Sequence, residues 1–376
     1  MTAAKDRLQA ASTRWLEVQR EALAIMLGAV SPGSSAAGSS GNSSEEDLAE
    51  GHRWITRISR MALDWVVERS DPLRPVLFGS QDEYNKLMGD NPDVTYHFCV
   101  LDPSRRYRLH GSRGGATYVG LTFGSDIFGG NQRLGGTTAQ YDLDSFHLPA
   151  DGDFELTLGG PATAGNHVEL PPDTAHLAIR ETFHDRGTQQ PASMTVDLLD
   201  TVEPPRLKAD DFARSLDRAG NFLLTVVNMC VQTYEMTGLL VNALAGASGE
   251  SHAEKDQGEM SGHSNAEMHY MGGRFRLEPG KVLEIRIPPV KSPFTYWGLT
   301  LLNPWLESYD YRFRRISMND RQARRDGDGG WTLVVAAEDP GGPNWLDTGG
   351  RSEGMMLLRW VKVTDPPLPE CRLVDP

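Results

Sequence analysis

A change of period constrains this chain more than any other feature. From about Val94 onward, apolar residues recur at every second position in short runs: VTYHFCVLD, RYRLHG, ATYVGLTF, TTAQYDLDSFHL, DFELTLGG, AHLAIRETFH and ASMTVDLL. Gly, Pro or Asp separates one run from the next. Side chains of an extended strand point alternately to its two faces, so this pattern marks strands with one face on a core. Runs spaced roughly ten residues apart, with no helical segment between them, predict an antiparallel sandwich or jelly roll. GRFRLEPG, KVLEIRIPP and FTYWGLTLLN continue the pattern toward the C-terminus. The expected fold is mainly β (α+β): two jelly-roll-like β-sandwich domains, a connecting helical segment, and helices at the N-terminus.

The helical segments follow a period of 3.6. In residues 1–30, Leu8, Trp15, Leu16, Leu23, Met26 and Leu27 fall on one face with charged residues opposite, which predicts an amphipathic helix. Residues 31–42 (SPGSSAAGSSGN) form a flexible linker of small residues, expected to be poorly ordered, whereas the helix before it must find apolar surface. Residues 43–75 form a second helix. It opens at Ser43 or Ser44 with Glu46 and Asp47 as a capping box, buries Leu48, Ile55, Ile58, Ala62, Trp65 and Val66, and stops at Ser70-Asp71-Pro72. The first sandwich spans 76–203 and ends at Pro204-Pro205. Residues 204–246 are a helical connector, one long helix or a pair broken at Gly220 or Gly238. Its residues Asn221, Thr225, Asn228, Gln232 and Glu235 make a narrow polar stripe, which fits a solvent-facing edge or the wall of an internal pocket. A polar mobile loop over 247–268 leads to the second β domain, 269–376.

Composition narrows the function classes. The chain has 376 residues, 39% apolar and 23% charged, with a formal net charge of −14. That charge disfavours a surface that tracks nucleic-acid phosphates, and no basic patch is interleaved with aromatics to stack bases. Cys99, Cys230 and Cys371 are odd in number, far apart and without a CxxC, as in a reducing compartment. The N-terminus lacks the basic-then-apolar pattern of a secretory signal, and no run reaches ~18 apolar residues, so no membrane span is expected. A cytoplasmic location follows as the expectation. His252, His263 and His269 lie near Glu254, Glu259 and Glu267, but their spacing matches no ligand motif, and no metal is expected. The Gly-rich stretch 123–136 lacks the strand–loop–helix context of a phosphate cradle and reads as a mobile or tight loop. Asp326-Gly-Asp-Gly-Gly opens like a calcium loop but lacks its closing Glu, and reads as a hairpin turn. No GxSxG or HExxH occurs, and no motif calls for an organic cofactor.

The stretch from Tyr296 to Trp360 holds five of the eight Trp, interleaved with acids and amides as in a packed sheet whose loops line a cavity. Its segments YWGLTLLNPWLESYDY, ISMNDRQ, DGDGGWTLVVA, DPGGPNWLDTGG and EGMMLLRWV resemble the family of domain of unknown function 1214. The upstream segment NHVELPPDTAHLAIRETFHDRGTQQPASMTV is similar to that family's preceding β region. The resemblance covers about two-thirds of the chain. It implies jelly-roll-like β domains with helices between them, and some relatives are similar in shape to viral capsid proteins. It carries no settled chemistry.

Three constellations suggest a site. On AHLAIRETFH, alternation places Glu181 beside Leu177, Ile179 and Phe183, where desolvation would favour a protonated carboxyl suited to acid–base work; a cross-sheet salt bridge is the competing reading. The other face presents Arg180 and His184 as a clamp for an anion or carbonyl. Around Glu307, a strand reading of SYDYRFRR points Tyr309 and Tyr311 one way and Asp310 and Arg312 the other, with Trp305 at the entrance. The stiff DPGGPNWLDTGG turn exposes Asn344, Trp345 and Asp347, which fits a site loop or a loop locked on a core.

The expected catalytic residues are therefore Glu181, Asn344, Asp347, Tyr309 and Tyr311, with Arg180, His184, Trp297, Trp305 and Trp345 contacting substrate. The expected function is a cofactor-independent enzyme using acid–base chemistry on a small, largely apolar molecule of lipid, steroid or terpenoid type. A non-catalytic, capsid-like assembly or binding module is the first alternative, supported by a tethered N-terminal helix that could join a homo-oligomer. A carbohydrate-binding or carbohydrate-cleaving protein is the second, since Trp-rich sandwiches stack sugars.

Overall fold

The computed structural model describes residues 2–29, 44–126, 135–150, 152–162, 164–203, 206–246 and 267–376. The linker 31–42, the core of the Gly-rich stretch, and most of the loop carrying His252 and His263 lie outside the described residues.

Among the described residues run three α-helices: α1 (Thr2–Ala29), α2 (Glu45–Leu63) and α3 (Ala209–Thr237). Between α2 and α3 run β1 (Phe78–Gln81), β2 (Val94–Val100), β3 (Tyr107–Ser112), β4 (Tyr118–Gly124), β5 (Thr137–Asp142), β6 (Asp153–Leu158), β7 (His167–Val168), β8 (His176–Thr182) and β9 (Ser193–Leu198). After α3 come β10 (Ala245–Gly246), β11 (Met268–Arg276), β12 (Val282–Ile287), β13 (Tyr296–Leu302), β14 (Ser317–Asn319), β15 (Trp331–Ala336), β16 (Trp345–Asp347), β17 (Glu353–Val361) and β18 (Glu370–Val374). The fold is mainly β, in two sandwich halves.

The two halves repeat one topology. In the first, a sheet ordered β1-β2-β8-β4-β5 faces one ordered β7-β6-β3-β9; in the second, β10-β11-β17-β13-β14 faces β16-β15-β12-β18. Adding nine to each strand number of the first half gives the second, down to the parallel pairs β6–β7 and β15–β16. Register then matches residues across the halves. Tyr118 pairs with Thr182, and Tyr296 pairs with Val361. Tyr96 lies opposite Arg180, and Tyr270 opposite Arg359. Asp93 and Glu267 each immediately precede the strand that begins these ladders. The sequence carries a trace of the repeat in Thr117-Tyr-Val-Gly-Leu-Thr122 and Thr295-Tyr-Trp-Gly-Leu-Thr300.

Each sandwich encloses its own core. Tyr107, Leu109, Leu121, Phe123, Leu156, Leu177 and Ile179 fill the first. Leu283, Ile285, Trp297, Leu299, Trp331, Leu333 and Trp360 fill the second. A third core lies outside both. There Phe98 and Ala178 of one five-stranded sheet, and Leu302 and Met355 of the other, meet Trp54, Ile58, Trp65, Phe222 and Val226 of the helical layer. The helices thus cover the outer faces of both halves at once.

Helix α2 starts as its sequence dictates. Ser44 is the cap, its Oγ accepting from Asp47 N at 3.0 Å while Asp47 Oδ2 accepts from Ser44 N at 3.1 Å. Asp47, not Glu46, completes the box, because it stands three residues after the cap. Its buried stripe is Gly51, Trp54, Ile55, Ile58, Met61 and Ala62, continued by Trp65 and Val66, while Leu48 is exposed.

Two helical expectations require correction. Helix α1 buries Ala11, Val18, Ala22, Met26 and Ala29, and the expected Leu16 and Leu27 are exposed. Small residues win that face because α1 lies close against α3. A Cβ added at Gly220 of α3 would sit 3.3 Å from Val18 Cγ2. The same close approach explains why α3 is unbroken at Gly220, ending only at Gly238. Its polar stripe shares no single environment: Thr225 is buried, Asn228 half-buried, and Asn221 and Gln232 exposed. A third correction concerns SYDYRFRR. Residues 311–314 form a turn, in which Asp310 and Arg312 pair at 2.6 Å and Phe313 is exposed.

Candidate functional site

The expected catalytic side chains are not assembled in one place. Glu181 is fully buried, accepting from Thr95 Oγ1 (2.9 Å), His97 Nε2 (2.9 Å) and the Ala192 N–H (2.6 Å). Burial pushes its pKa up, but the hydrogen bonds from His97, Ala192 and Thr95 outweigh burial and hold the carboxyl below its ordinary range. Glu181 is thus an ionised, saturated acceptor rather than a group holding a proton near neutral pH. Asn344 spends its amide on Arg324 O (2.8 Å), Thr332 O (2.9 Å) and Arg324 N (2.8 Å), so it locks its loop. Asp347 accepts from Arg314 (3.0 Å) and Gly349 N (2.6 Å). Tyr309 is buried against Gly354, with the Arg351 guanidinium 4.4 Å from its ring centroid. Tyr311 carries Lys86 Nζ at 4.9 Å from its ring centroid.

The expected Trp contacts are packing. Trp297 is fully buried with Trp331 and Trp360. Trp305 stacks on Trp54 at 5.2 Å and donates to Asp47 O, fastening the loop after β13 beneath α2. Trp345 donates to Ala336 O and is half-buried. Of the eight Trp, Trp15 and Trp345 are half-buried and the other six are buried.

Arg180 and His184 lead instead to the seam between the halves. His184, just past β8, contacts Thr117 Oγ1 through Nδ1 (3.0 Å) and Asp320 Oδ1 of the second half through Nε2 (3.0 Å). Nearby lies Asp93, a buried carboxylate that the sequence reading passed over inside the turn NPDV. Its Oδ2 accepts from Tyr296 OH (2.9 Å) and Asn319 Nδ2 (2.9 Å), both from the second half. Asn91 Nδ2 donates to the same Tyr296 oxygen (3.1 Å). No described residue donates to Asp93 Oδ1. Burial raises the Asp93 pKa, and the bonds from Asn319 and Tyr296 do not offset it. The duplicated fold places a partner contact opposite: Tyr118 OH of the first half donates to Glu267 Oε2 of the second (2.7 Å). The two tyrosines therefore reach across the seam in opposite directions.

The Tyr296 ring folds back over Gly298, where an added Cβ would lie 2.0 Å from the phenol oxygen. Tyr118, Met268, Tyr296 and Val361 form a buried cluster here, with Tyr270 against it. Tyr96 OH accepts from Asn91 N (3.0 Å), and burial pushes its pKa up to about 12.

Two other polar regions compete. An open groove of about 750 Å³ lies on the outer sheet of the first half, lined by His110, Ser112, Asp153, Glu155 and Ser193 among others. Its floor is a paired ladder, in which Arg108 and His110 both donate to Asp197 (2.7 and 3.0 Å). The second region lies under α2. There Lys86 donates to Ser308 O and Tyr309 O (2.6 and 3.1 Å), Asp90 accepts from Ser308, and Glu307 pairs with Arg57. Those contacts pin residues 303–309 to the helical layer. The charges of the groove are exposed or half-buried, and Arg108 and His110 are spent on Asp197. Glu307 under α2 and Asp93 at the seam are both buried acids with raised pKa, and Glu307 Oε2 has no hydrogen-bond partner. Glu307 is paired with Arg57, however, whereas Asp93 forms no ion pair among the described residues, which makes the seam the stronger chemical signal.

Asn319 and Tyr296 lie in the Trp-rich stretch that the sequence singled out; Asp93 lies outside it and was missed. The repeated TYxGLT hexapeptide was the available signal, since it marks equivalent tyrosines in the two halves.

Residues 274–364 match the family model described as protein of unknown function (DUF1214). No curated protein matches the chain at a significant level. Among solved structures, an uncharacterised protein from Burkholderia cenocepacia is 29% identical, with a TM-score of 0.88 and 99% of each chain covered. The VPA0106 protein from Vibrio parahaemolyticus is 13% identical, with a TM-score of 0.50, covering 86% of this chain and 98% of that one, a likeness of fold alone. Among the described residues, no helix is long and apolar enough to cross a membrane. Over residues 274–364, the C-terminal region of this chain is thus a match to DUF1214, a family of unknown function.

Proposed function

We propose that the protein is a cofactor-independent enzyme that moves a proton on a small, largely apolar molecule held at the seam, with Asp93 as the proton carrier. The observation that carries this reading is the state of Asp93. It is buried, its pKa is raised, and its Oδ2 is fixed by Tyr296 and Asn319 while Oδ1 accepts from no described residue. A carboxyl so held, its pKa raised by burial, can take or give a proton without reorienting. Tyr296, anchored in turn by Asn91, supplies a hydroxyl beside the reacting atoms. Met268, Val361, Tyr118 and Tyr270 favour an apolar body for the molecule. Acid–base catalysis therefore moves from the expected Glu181 to Asp93, while His184 and Arg180 stay as the expected substrate clamp.

Asp93→Asn is the test, because an amide oxygen can still accept from Tyr296 and Asn319. The protein is incubated in D₂O with terpenoid and steroid ketones, and deuterium uptake is read by mass spectrometry. Wild type should exchange at least one ketone, and Asp93→Asn should lose ~10²–10⁴-fold in rate while remaining folded. Exchange undiminished in Asp93→Asn, or absent with every ketone in wild type, refutes the reading.

A further inference from the structure

We propose that the seam binds a carboxylate through Arg359, with Arg180 beside it, so that the molecule held there is an acid with an apolar body. This rests on the reading of the seam as the site. Arg359 occupies β17, the middle strand of its sheet, and is 4% exposed. Its Nη1 donates to Thr300 Oγ1 at 3.3 Å, its Nη2 donates to Gly89 O, and its guanidinium carbon lies 5.9 Å from the Tyr270 ring centroid. All of these are neutral groups.

The other well-buried guanidiniums each meet an acid. Arg274 pairs with Glu353, Arg57 with Glu307, and Arg351 with Glu46 and Glu50. No described Asp or Glu forms an ion pair with Arg359. A buried cation is expensive unless an opposite charge meets it, so this one marks where an anion belongs. The planar fork of Arg suits the two oxygens of a carboxylate.

The repeat supports the placement. Arg180 is the matching residue of the first half, and it also donates to the matching threonine, Thr122, at 3.5 Å. Tyr96, opposite Arg180, accepts from Asn91 N, and Asn91 Nδ2 donates to Tyr296, which donates to Asp93, while Arg359 donates to the Gly89 carbonyl two residues before Asn91. The cations and the proton carrier thus belong to one cluster. On the face of β17 that bears Arg359 stand Met355, Leu357 and Val361, and Tyr270 lies across from it, so apolar surface adjoins the charge.

Isothermal titration calorimetry of the full chain compares decanoate and adamantane-1-carboxylate with the corresponding alcohols. At least one acid should bind ~10–100-fold more tightly than its alcohol, as a charge-assisted contact implies. Arg359→Met should remove that preference without lowering the melting temperature, since an unpaired buried charge is replaced by an apolar chain of similar length. If Arg359→Met does not fold, Arg359→Lys carries the test and should weaken acid binding about tenfold, because it lacks the fork. Acid binding no tighter than alcohol binding, no binding of either acid, or acid binding untouched by the Arg359 variants overturns the proposal. Asp93→Asn separates it from the catalytic reading: that variant should lose deuterium exchange yet still bind the acid. Exchange surviving in Asp93→Asn, with acid binding lost in Arg359→Met, would leave the carboxylate site standing and remove only the role of Asp93.

Discussion

Tyr296→Phe and Tyr118→Phe make the same chemical change at equivalent positions of the repeat, and they should not have the same effect. The Tyr296 hydroxyl donates to Asp93, which is buried, and accepts from Asn91. Removing it deletes a hydrogen bond to a charged group, worth about 1.5–3 kcal/mol, and strands a buried amide N–H at about 1 kcal/mol more. The Tyr118 hydroxyl donates to Glu267, which is half-buried, so water can replace the lost donor and the cost is about 0.5–1 kcal/mol. For 376 residues unfolding as one unit, the unfolding entropy is about 0.8 kcal/mol per degree. Calorimetry at neutral pH should therefore give a loss of about 3–5 °C for Tyr296→Phe and about 1 °C for Tyr118→Phe. The pH dependence follows from the raised Asp93 pKa. The folded state holds this proton more tightly than the unfolded chain. The stability it contributes is thus fully present below the unfolded pKa and is lost as pH rises through the folded one. Losing a donor raises that pKa further, so the gap between Tyr296→Phe and wild type should widen as pH rises. Equal losses at the two tyrosines, or a gap that narrows with rising pH, would refute this account of the seam.

Glu181→Gln should destabilise by about 1.5–3 kcal/mol at neutral pH, because it weakens a carboxylate held by three donors. Its folded pKa is lowered, so its contribution is present above the unfolded pKa and disappears as pH falls through the folded one. Urea denaturation at several pH values should show the variant and wild type converging in acid. Gly51→Ala gains about 1 kcal/mol in helix propensity. The added Cβ, however, would lie 2.7 Å from Trp305 Cζ2 and 2.8 Å from Met26 Sδ. Overpacking of about 1–3 kcal/mol should win, and a raised melting temperature would contradict the packing described for α2.

Strands were legible because period two survives wherever one face meets a core, and each of the seven runs from VTYHFCVLD to ASMTVDLL contains one, whereas SYDYRFRR alternates in the same way and forms a turn over 311–314. The stripe of α1 was misread because a helix pressed close to another buries Ala and Val, and leaves Leu16 outside. Glu181 was correctly placed among apolar neighbours. Its protonation was not legible, because that depends on Thr95, His97 and Ala192, which only the folded sheet brings to it. Asp93 looked like a turn residue, since its environment is built by Tyr296 and Asn319 some two hundred residues away. Arg359 was hidden inside EGMMLLRWV, where one basic residue in an apolar run reads as a strand edge.

That the partners of Asp93 come from the other half has a consequence for how the chain matures on the ribosome. When residues 1–203 have emerged, Asp93 has neither Tyr296 nor Asn319 beside it and remains an ordinary, wet carboxylate. The arrival of β13 and β14 brings Tyr296 and Asn319 to it, at the step when α3 is already available to roof both sandwiches. Docking of the second half is therefore the step that raises proton affinity, and it should draw protons from solution. Assembly from the two ends of the polypeptide would leave a signature in buffer: a heat of association that changes with the buffer's ionisation enthalpy.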